Sequence, residues 1–374
     1  MYARLETDRR DEYATKLDDC FVRREPLGVV LVIGAWNYPL QLILLPLIGA
    51  IAADNCAILK PSEISRATEK FLLYSFLYLS QCYAVICGGA EETKRLLENR
   101  FDHIFYTVVT FPYLLQHPKS SLLQARSQWL VASCRPLVWA KFFNAGQSCV
   151  APDYVLCTAE TRDMLLPHMK EALESFYRSE PQQSQDMGRI VTNRHWDRLV
   201  ELLKRSKGKI VIGGESDKES KYIAPTVVIK ESDPLMQKEI FGPILPILTI
   251  KSLDDGINFI NEGEKPLALY AFSDEVVMTE LHFSTSSGGF CSNDGVVRMS
   301  LSGLPFGGVG SSPGNYHGRW GFETFSHKRG CMLRDWSMSM FCNQGTKKCL
   351  VIHQGFTESL IRNTSLIFGF SIVM

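Results

Sequence analysis

The 374-residue sequence has no excess of either charge: Lys and Arg total 40, and Asp and Glu total 40. Nothing in that balance points to nucleic acid or to an acidic partner. Its eleven cysteines include no C-x-x-C pair, and its eight histidines show no H-E-x-x-H or comparable spacing. Both absences argue against a metal site. The Gly-x-Gly-x-x-Gly fingerprint of standard dinucleotide-binding turns is also missing. No secretory leader is legible at the charged start Met1-Tyr2-Ala3-Arg4, and an odd cysteine count fits a reducing compartment, so the expected location is the cytoplasm.

Charged residues are missing from one long stretch, the 28 residues from Pro26 to Ala53. Its length would cross a membrane. Asn37, Pro39, Gln41 and Pro46 interrupt it, and a bilayer offers their backbone no hydrogen-bond partners. The stretch therefore reads as a strand over 28–33, a loop over 34–39 and a buried helix from near Leu40, with no transmembrane span.

What is present is an ordinary globular composition, 45% apolar and 21% charged, in a chain long enough for two cores. Short apolar runs alternate with helical patterns. Strands are expected at 56–60, 84–87 and 103–107, and a helix at 91–98. Beyond Cys149, strands are expected at 154–157, 209–212, 226–229, 244–250 and 266–272. Helix faces run through Met164 to Phe176 and through Trp196 to Leu203, and 257–260 reads as helical. Such alternation specifies an α/β fold with ligands beyond the carboxyl ends of its strands. Lys60 and Glu63 lie at one such end. Residues 108–137 show neither a 3.6 nor a 2 period and carry no assigned element, regular structure resuming at Val138-Trp139.

The chemistry centres on Phe143-Asn144-Ala145-Gly146-Gln147-Ser148-Cys149, a Gly-containing turn ahead of the apolar strand Tyr154-Val155-Leu156-Cys157. Such a loop can hold a thiol in the open, with backbone N–H groups nearby to favour the thiolate that attacks carbonyls. Asn37, in the loop Trp36-Asn37-Tyr38-Pro39, offers a neutral donor suited to holding an oxyanion. Downstream stands Glu239-Ile240-Phe241-Gly242-Pro243.

In this order these motifs resemble the aldehyde dehydrogenase superfamily, most closely its class 3 (family 3) members. The resemblance runs from about Phe21 to Thr107 and from Val138 to about Leu333, and includes Lys60-Pro61-Ser62-Glu63 and Pro305-Phe306-Gly307-Gly308-Val309-Gly310. It implies a Rossmann-like cofactor domain over 1–140, incomplete and atypical at 108–137, a second α/β catalytic domain over 141–333, and a divergent tail over 334–374. It implies oxidation of medium- or long-chain aliphatic or aromatic aldehydes to carboxylic acids with NAD or NADP, by a dimer. Cys149 would be the nucleophile and Asn37, with the Cys149 N–H, the oxyanion holder. Lys60 and Glu63 would hold the adenosine ribose, Glu239 the nicotinamide ribose, and Phe241 would face the nicotinamide.

The sequence departs from the family's pattern in three places. The helices that open family members ahead of this start are missing. Val108-Val109 replace a Gly-Ser turn that approaches the cofactor, where a branched side chain is poorly tolerated. No Glu-Leu-Gly-Gly motif, which carries the general-base glutamate, lies between Thr107 and Cys149. Glu239 is the residue that could serve as base instead. The alternative to an active enzyme is a catalytically impaired relative acting as a binding or regulatory protein. A hydrolase reading rests on Gly310-Ser311-Ser312-Pro313-Gly314 with Asp335 and His353. It founders on Pro313, which has no N–H for the oxyanion.

Overall fold

The computed structural model describes residues 19–76, 81–107, 121–124, 130–229, 238–309 and 314–333. These fall in two compact units. The smaller contains residues 19–25 and 328–333, the larger residues 26–327. The smaller holds most of strands β1 (Asp19–Pro26) and β15 (Ser326–Leu333), a two-stranded ribbon carrying the ion pair of Arg329 with Glu25 at 3.0 Å.

The larger unit is built on two sheets. The first contains β2 (Val29–Ile33), β3 (Cys56–Lys60), β4 (Tyr83–Val85) and β5 (His103–Tyr106), in the order β4-β3-β2-β5 and parallel throughout. This is the first half of a doubly wound order, and the reversal of strand order falls between β2 and β5. Helices α1 (Gln41–Ala52), α2 (Arg66–Phe76) and α3 (Ala90–Leu97) connect the strands. The uncharged stretch after Pro26 thus resolves as strand, loop and helix. Among the described residues no helix is long and apolar enough to cross a membrane. Val30, Leu31 and Val32 are fully buried, as a strand covered on both faces must be. Asn55 pins the amino end of this sheet: its Oδ1 accepts from the Leu27 and Gly28 N–H groups at 2.7 and 2.9 Å, and its Nδ2 donates to the Phe325 carbonyl at 2.9 Å.

The second sheet has seven strands in the order β14-β13-β6-β7-β12-β11-β8. They are β6 (Ser121–Gln124), β7 (Tyr154–Cys157), β8 (Lys209–Ile212), β11 (Thr226–Ile229), β12 (Ile244–Thr249), β13 (Leu269–Phe272) and β14 (Phe290–Ser292). Only β8 runs antiparallel to its neighbour. A small hairpin, β9 (Ser216–Asp217) with β10 (Tyr222–Ile223), stands apart. Helices α4 (Leu130–Phe142), α5 (Ala159–Tyr177), α6 (Asn193–Arg205), α7 (Leu253–Glu262) and α8 (Glu275–Ser284) flank this sheet, and α9 (Gly318–Thr324) packs on α1.

One stretch differs from its sequence reading. Residues 108–137 carry no periodic signal, yet α4 begins at Leu130, ahead of the Val138 expected from the sequence, and continues through Pro136. From Cys134 to Phe142 this helix is buried on most sides, including Leu137, Val138, Ala140, Lys141 and Phe142. With Arg135 alone exposed between 134 and 142, this helix writes only a faint amphipathic period, and an internal proline further hides it. Val108-Val109, Gly310 to Pro313 and the tail from Arg334 onward lie outside the described residues.

Candidate active site

The turn ahead of Cys149 is left-handed at three successive residues: Asn144 (φ 53°), Ala145 (φ 53°) and Gly146 (φ 70°). Two of these carry a Cβ, so the conformation costs energy that the surroundings must hold in place. Gln147 supplies much of that hold. Its Nε2 donates to the Asn144 carbonyl at 3.1 Å and to the Arg189 carbonyl at 3.0 Å, and its Oε1 accepts from the Val191 N–H at 3.0 Å. Just past the cysteine, the buried Tyr270 hydroxyl of β13 donates to the Val150 carbonyl at 2.7 Å.

Glycine is required at position 146. A Cβ there would stand 2.2 Å from the Gly242 carbonyl oxygen. The cysteine turn therefore presses backbone to backbone on the strap that carries Glu239 and Phe241. That strap is itself clamped. Asp153 Oδ1 accepts from the Ile240 N–H at 2.9 Å, and Arg198 Nη2 donates to the Ile240 carbonyl at 2.6 Å. Phe241 is also left-handed (φ 50°), and its buried ring meets Trp36 edge-on at 5.5 Å.

Asn37 reaches the same turn from the end of β2. Its Nδ2 donates to the Gln147 carbonyl at 3.2 Å, and Asn144 Nδ2 donates to that carbonyl, also at 3.2 Å, and to the Asn37 carbonyl at 3.3 Å. The buried Asn37 Oδ1 has no partner among the described residues. The Asn37 Nδ2 carries two N–H groups, and giving one to the Gln147 carbonyl leaves the amide a second to offer. An oxyanion donor is therefore available at little cost.

Cys149 lines a pocket with Tyr38, Leu42 and Leu45 on one side and Met299, Phe306, Tyr316 and His317 on the other. The His317 ring stacks on Phe306 at 5.9 Å, and Tyr316 meets Phe105 edge-on at 5.1 Å. The sequence reading of an open, thiolate-favouring loop needs correction. Cys149 is half-buried, and burial pushes its thiol up to about 12, with the Glu239 carboxylate adding to the rise. The backbone N–H groups of Cys149 and Val150 do act in the expected direction, but burial outweighs them.

Lys60 and Glu63 form their own ion pair at 3.5 Å at the carboxyl end of β3. The Lys60 ammonium, buried, also donates to the Pro61 carbonyl at 2.8 Å. Ser65 Oγ donates to the Trp36 carbonyl at 3.1 Å, which links this turn to the Asn37 loop. Cys149, Asn37, Glu239 and Phe241 thus surround one turn, with Lys60 and Glu63 at the adjoining sheet end.

Sequence reasoning passed over Lys141, Asp153 and Arg198. Lys141 is 1% exposed; burial lowers its pKa to about 8, while Asp153 and Glu239 pull the other way. A lysine inside the apolar segment Val138-Trp139-Ala140-Lys141-Phe142-Phe143 was the legible signal. Tyr38, Tyr316 and His317 were also missed, although Tyr38 adjoins Asn37 in sequence. Among the described residues no group of three or more His, Cys, Asp or Glu is placed to hold a metal ion.

The model of the "Aldehyde dehydrogenase family" matches residues 2–106 and 130–329, passing over the stretch between. Aldehyde dehydrogenase family 3 member B1 of Rattus norvegicus is 50% identical over 342 residues, covering 86% of this chain and 73% of that protein. Family 3 member A2 from the same species is 45% identical over 341 residues, covering 86% and 70%. A solved substrate-bound Staphylococcus aureus AldH superposes with a TM-score of 0.83 at 35% identity, covering 89% of this chain and 77% of that one. With the family model matched over most of its length and relatives at up to about half identity, the chain belongs to the aldehyde dehydrogenase family.

Proposed function

We propose that this protein oxidises medium- or long-chain aliphatic or aromatic aldehydes to carboxylic acids with NAD or NADP. The observation that carries the reading is the seating of Cys149 in a pocket walled by Leu42, Leu45, Val150, Met299 and Phe306. Apolar walls around one thiol suit a hydrophobic tail ending in a carbonyl. Family 3 relatives and a solved Mycobacterium tuberculosis relative complexed with NAD⁺ are in keeping with it.

The residues present fit the cofactor. An ammonium–carboxylate pair, Lys60 with Glu63, stands at the carboxyl end of a parallel sheet, and its donor and acceptor suit ribose hydroxyls. Glu239 and Phe241 would hold the nicotinamide end. When bound, the cofactor supplies the hydride acceptor. The chain's own residues do the rest. Glu239 takes the thiol proton and passes it to solvent as Cys149 Sγ attacks the carbonyl carbon and gives a thiohemiacetal, its developing oxyanion taken by the Asn37 amide and the Cys149 N–H. Loss of hydride leaves a thioester on Cys149. Glu239, whose charge already bears on Cys149, takes a proton from the water that hydrolyses it.

NADH formation from a long-chain aldehyde by the wild-type chain, absent in Cys149→Ser, is the expected result. A second reading, a catalytically impaired relative with a binding or regulatory role, is favoured by one observation. The family match passes over 107–129, and no Glu-Leu-Gly-Gly lies between Thr107 and Cys149. Under that reading NAD raises the melting temperature without turnover. A cytoplasmic homodimer, with a cofactor domain ending near residue 140 and a catalytic domain over 141–333, completes the proposal.

A further inference from the structure

Away from the active site, two cysteines stand side by side at the amino end of the first sheet. In the parallel pairing of β3 with β4, Ala57 lies opposite Tyr83 and Ile58 opposite Ala84. One step earlier Cys56 lies opposite Cys82, and the Ala57 N–H donates to the Cys82 carbonyl at 2.9 Å, so the ladder extends to this pair. Neighbouring strands run about 4.8 Å apart, inside the range of Cα separations that a disulfide spans.

Side-chain alternation places both thiols on one face. Ala57, Leu59, Tyr83 and Val85 pack into the core on one side of the sheet. Cys56 and Cys82 are one residue out of phase and so share the opposite side. The Cys56 thiol makes a hydrogen bond with Cys82, which raises the Cys56 pKa. Cys56 is half-buried and Cys82 exposed, so an oxidant meets Cys82 first and Cys56 waits beside it.

We infer that Cys56 and Cys82 form an oxidation site that takes a hydroperoxide and closes to an intramolecular disulfide. In the first step Cys82 Sγ attacks the peroxide, the O–O bond breaks, an alcohol or water leaves, and Cys82 becomes a sulfenic acid. Cys56 Sγ then attacks that sulfur, its proton leaves with the hydroxyl as water, and the S–S bond forms. Two thiols lose two electrons in all, and the peroxide gains them. The product ties the short strand β4 to β3. β4 leads directly into the turn where the Gly88 N–H donates to Glu69 at 3.1 Å.

The test treats the full chain, carrying Cys149→Ser so that the active-site thiol cannot compete, with hydrogen peroxide. Thiols are then alkylated and peptides mapped without reductant. A peptide pair joined through Cys56 and Cys82 is expected, released by dithiothreitol and lost in Cys56→Ser and in Cys82→Ser. The oxidised chain is expected to melt at a higher temperature than the reduced one, the rise vanishing in either variant. The inference is overturned if Cys56 and Cys82 remain separately alkylatable while other exposed cysteines are oxidised. It is equally overturned if Cys82 proceeds to sulfinic acid or pairs with a different cysteine. None of these readouts depends on aldehyde turnover.

Discussion

Asn37 Nδ2 donates to the main-chain carbonyl of Gln147 at 3.2 Å, two residues before Cys149, and thereby joins the first sheet's loop to the cysteine turn. The same amide is the candidate oxyanion donor. Asn37→Ala is expected to lower kcat by about 10²–10³-fold, the usual effect of deleting one such donor, with KM changed far less. Steady-state kinetics with a hydrophobic aldehyde measures the split. A loss confined to KM would assign Asn37 to substrate binding instead.

The pH dependence of Cys149 has a definite sign. A thiol held protonated up to about 12 reacts slowly with iodoacetamide at neutral pH, and its rate climbs with pH as thiolate accumulates. Since the Glu239 charge contributes to that rise, Glu239→Gln should speed alkylation at fixed pH, by up to the roughly tenfold that one pKa unit represents. Unchanged alkylation would mean that burial alone sets the thiol.

Gly146→Ala meets two penalties together, a left-handed backbone and a Cβ at 2.2 Å from the Gly242 carbonyl. A stability loss of about 2–4 kcal/mol follows. Urea unfolding should show a lower midpoint at unchanged slope.

Lys141 imposes a stability trend at alkaline pH. Its folded pKa, about 8, lies below the ordinary 10.5, so between those values the unfolded chain holds more protons than the folded one. Stability contributed by this group therefore rises as pH climbs through that window, by about 3 kcal/mol at most, while the full penalty of burying the charge is present below it. Lys141→Met should flatten the rise in denaturant titrations from neutral pH to 10.5. A rise that persists in the variant would point to another group.

Much of this architecture could be read from the sequence. The apolar runs at Tyr154–Cys157, Lys209–Ile212 and Thr226–Ile229 are strands with those bounds, because short continuous apolar runs between polar turns have few other uses. Asn37, Cys149, Glu239 and Phe241 were legible as a set through their resemblance to known motifs. The proton on Cys149 was not. It depends on how deeply a fold buries one sulfur and on a carboxylate brought from a distant segment, and neither quantity is written locally. Helix α4 escaped for the opposite reason: its burial left only a faint trace of the alternation that would have announced it. Asp153 and Arg198 were hidden because their work is on backbone groups of residues far away in sequence.

The contact of Gly146 with Gly242 has a consequence for local opening. Two main chains in van der Waals contact, with no side chain between to yield, cannot separate independently. The strap is fastened further by Asp153 and Arg198, and the turn by Gln147. Amide hydrogens on the two segments should therefore exchange with solvent from one shared open state, with a common protection factor. Whatever loosens the strap loosens the cysteine turn by the same measure.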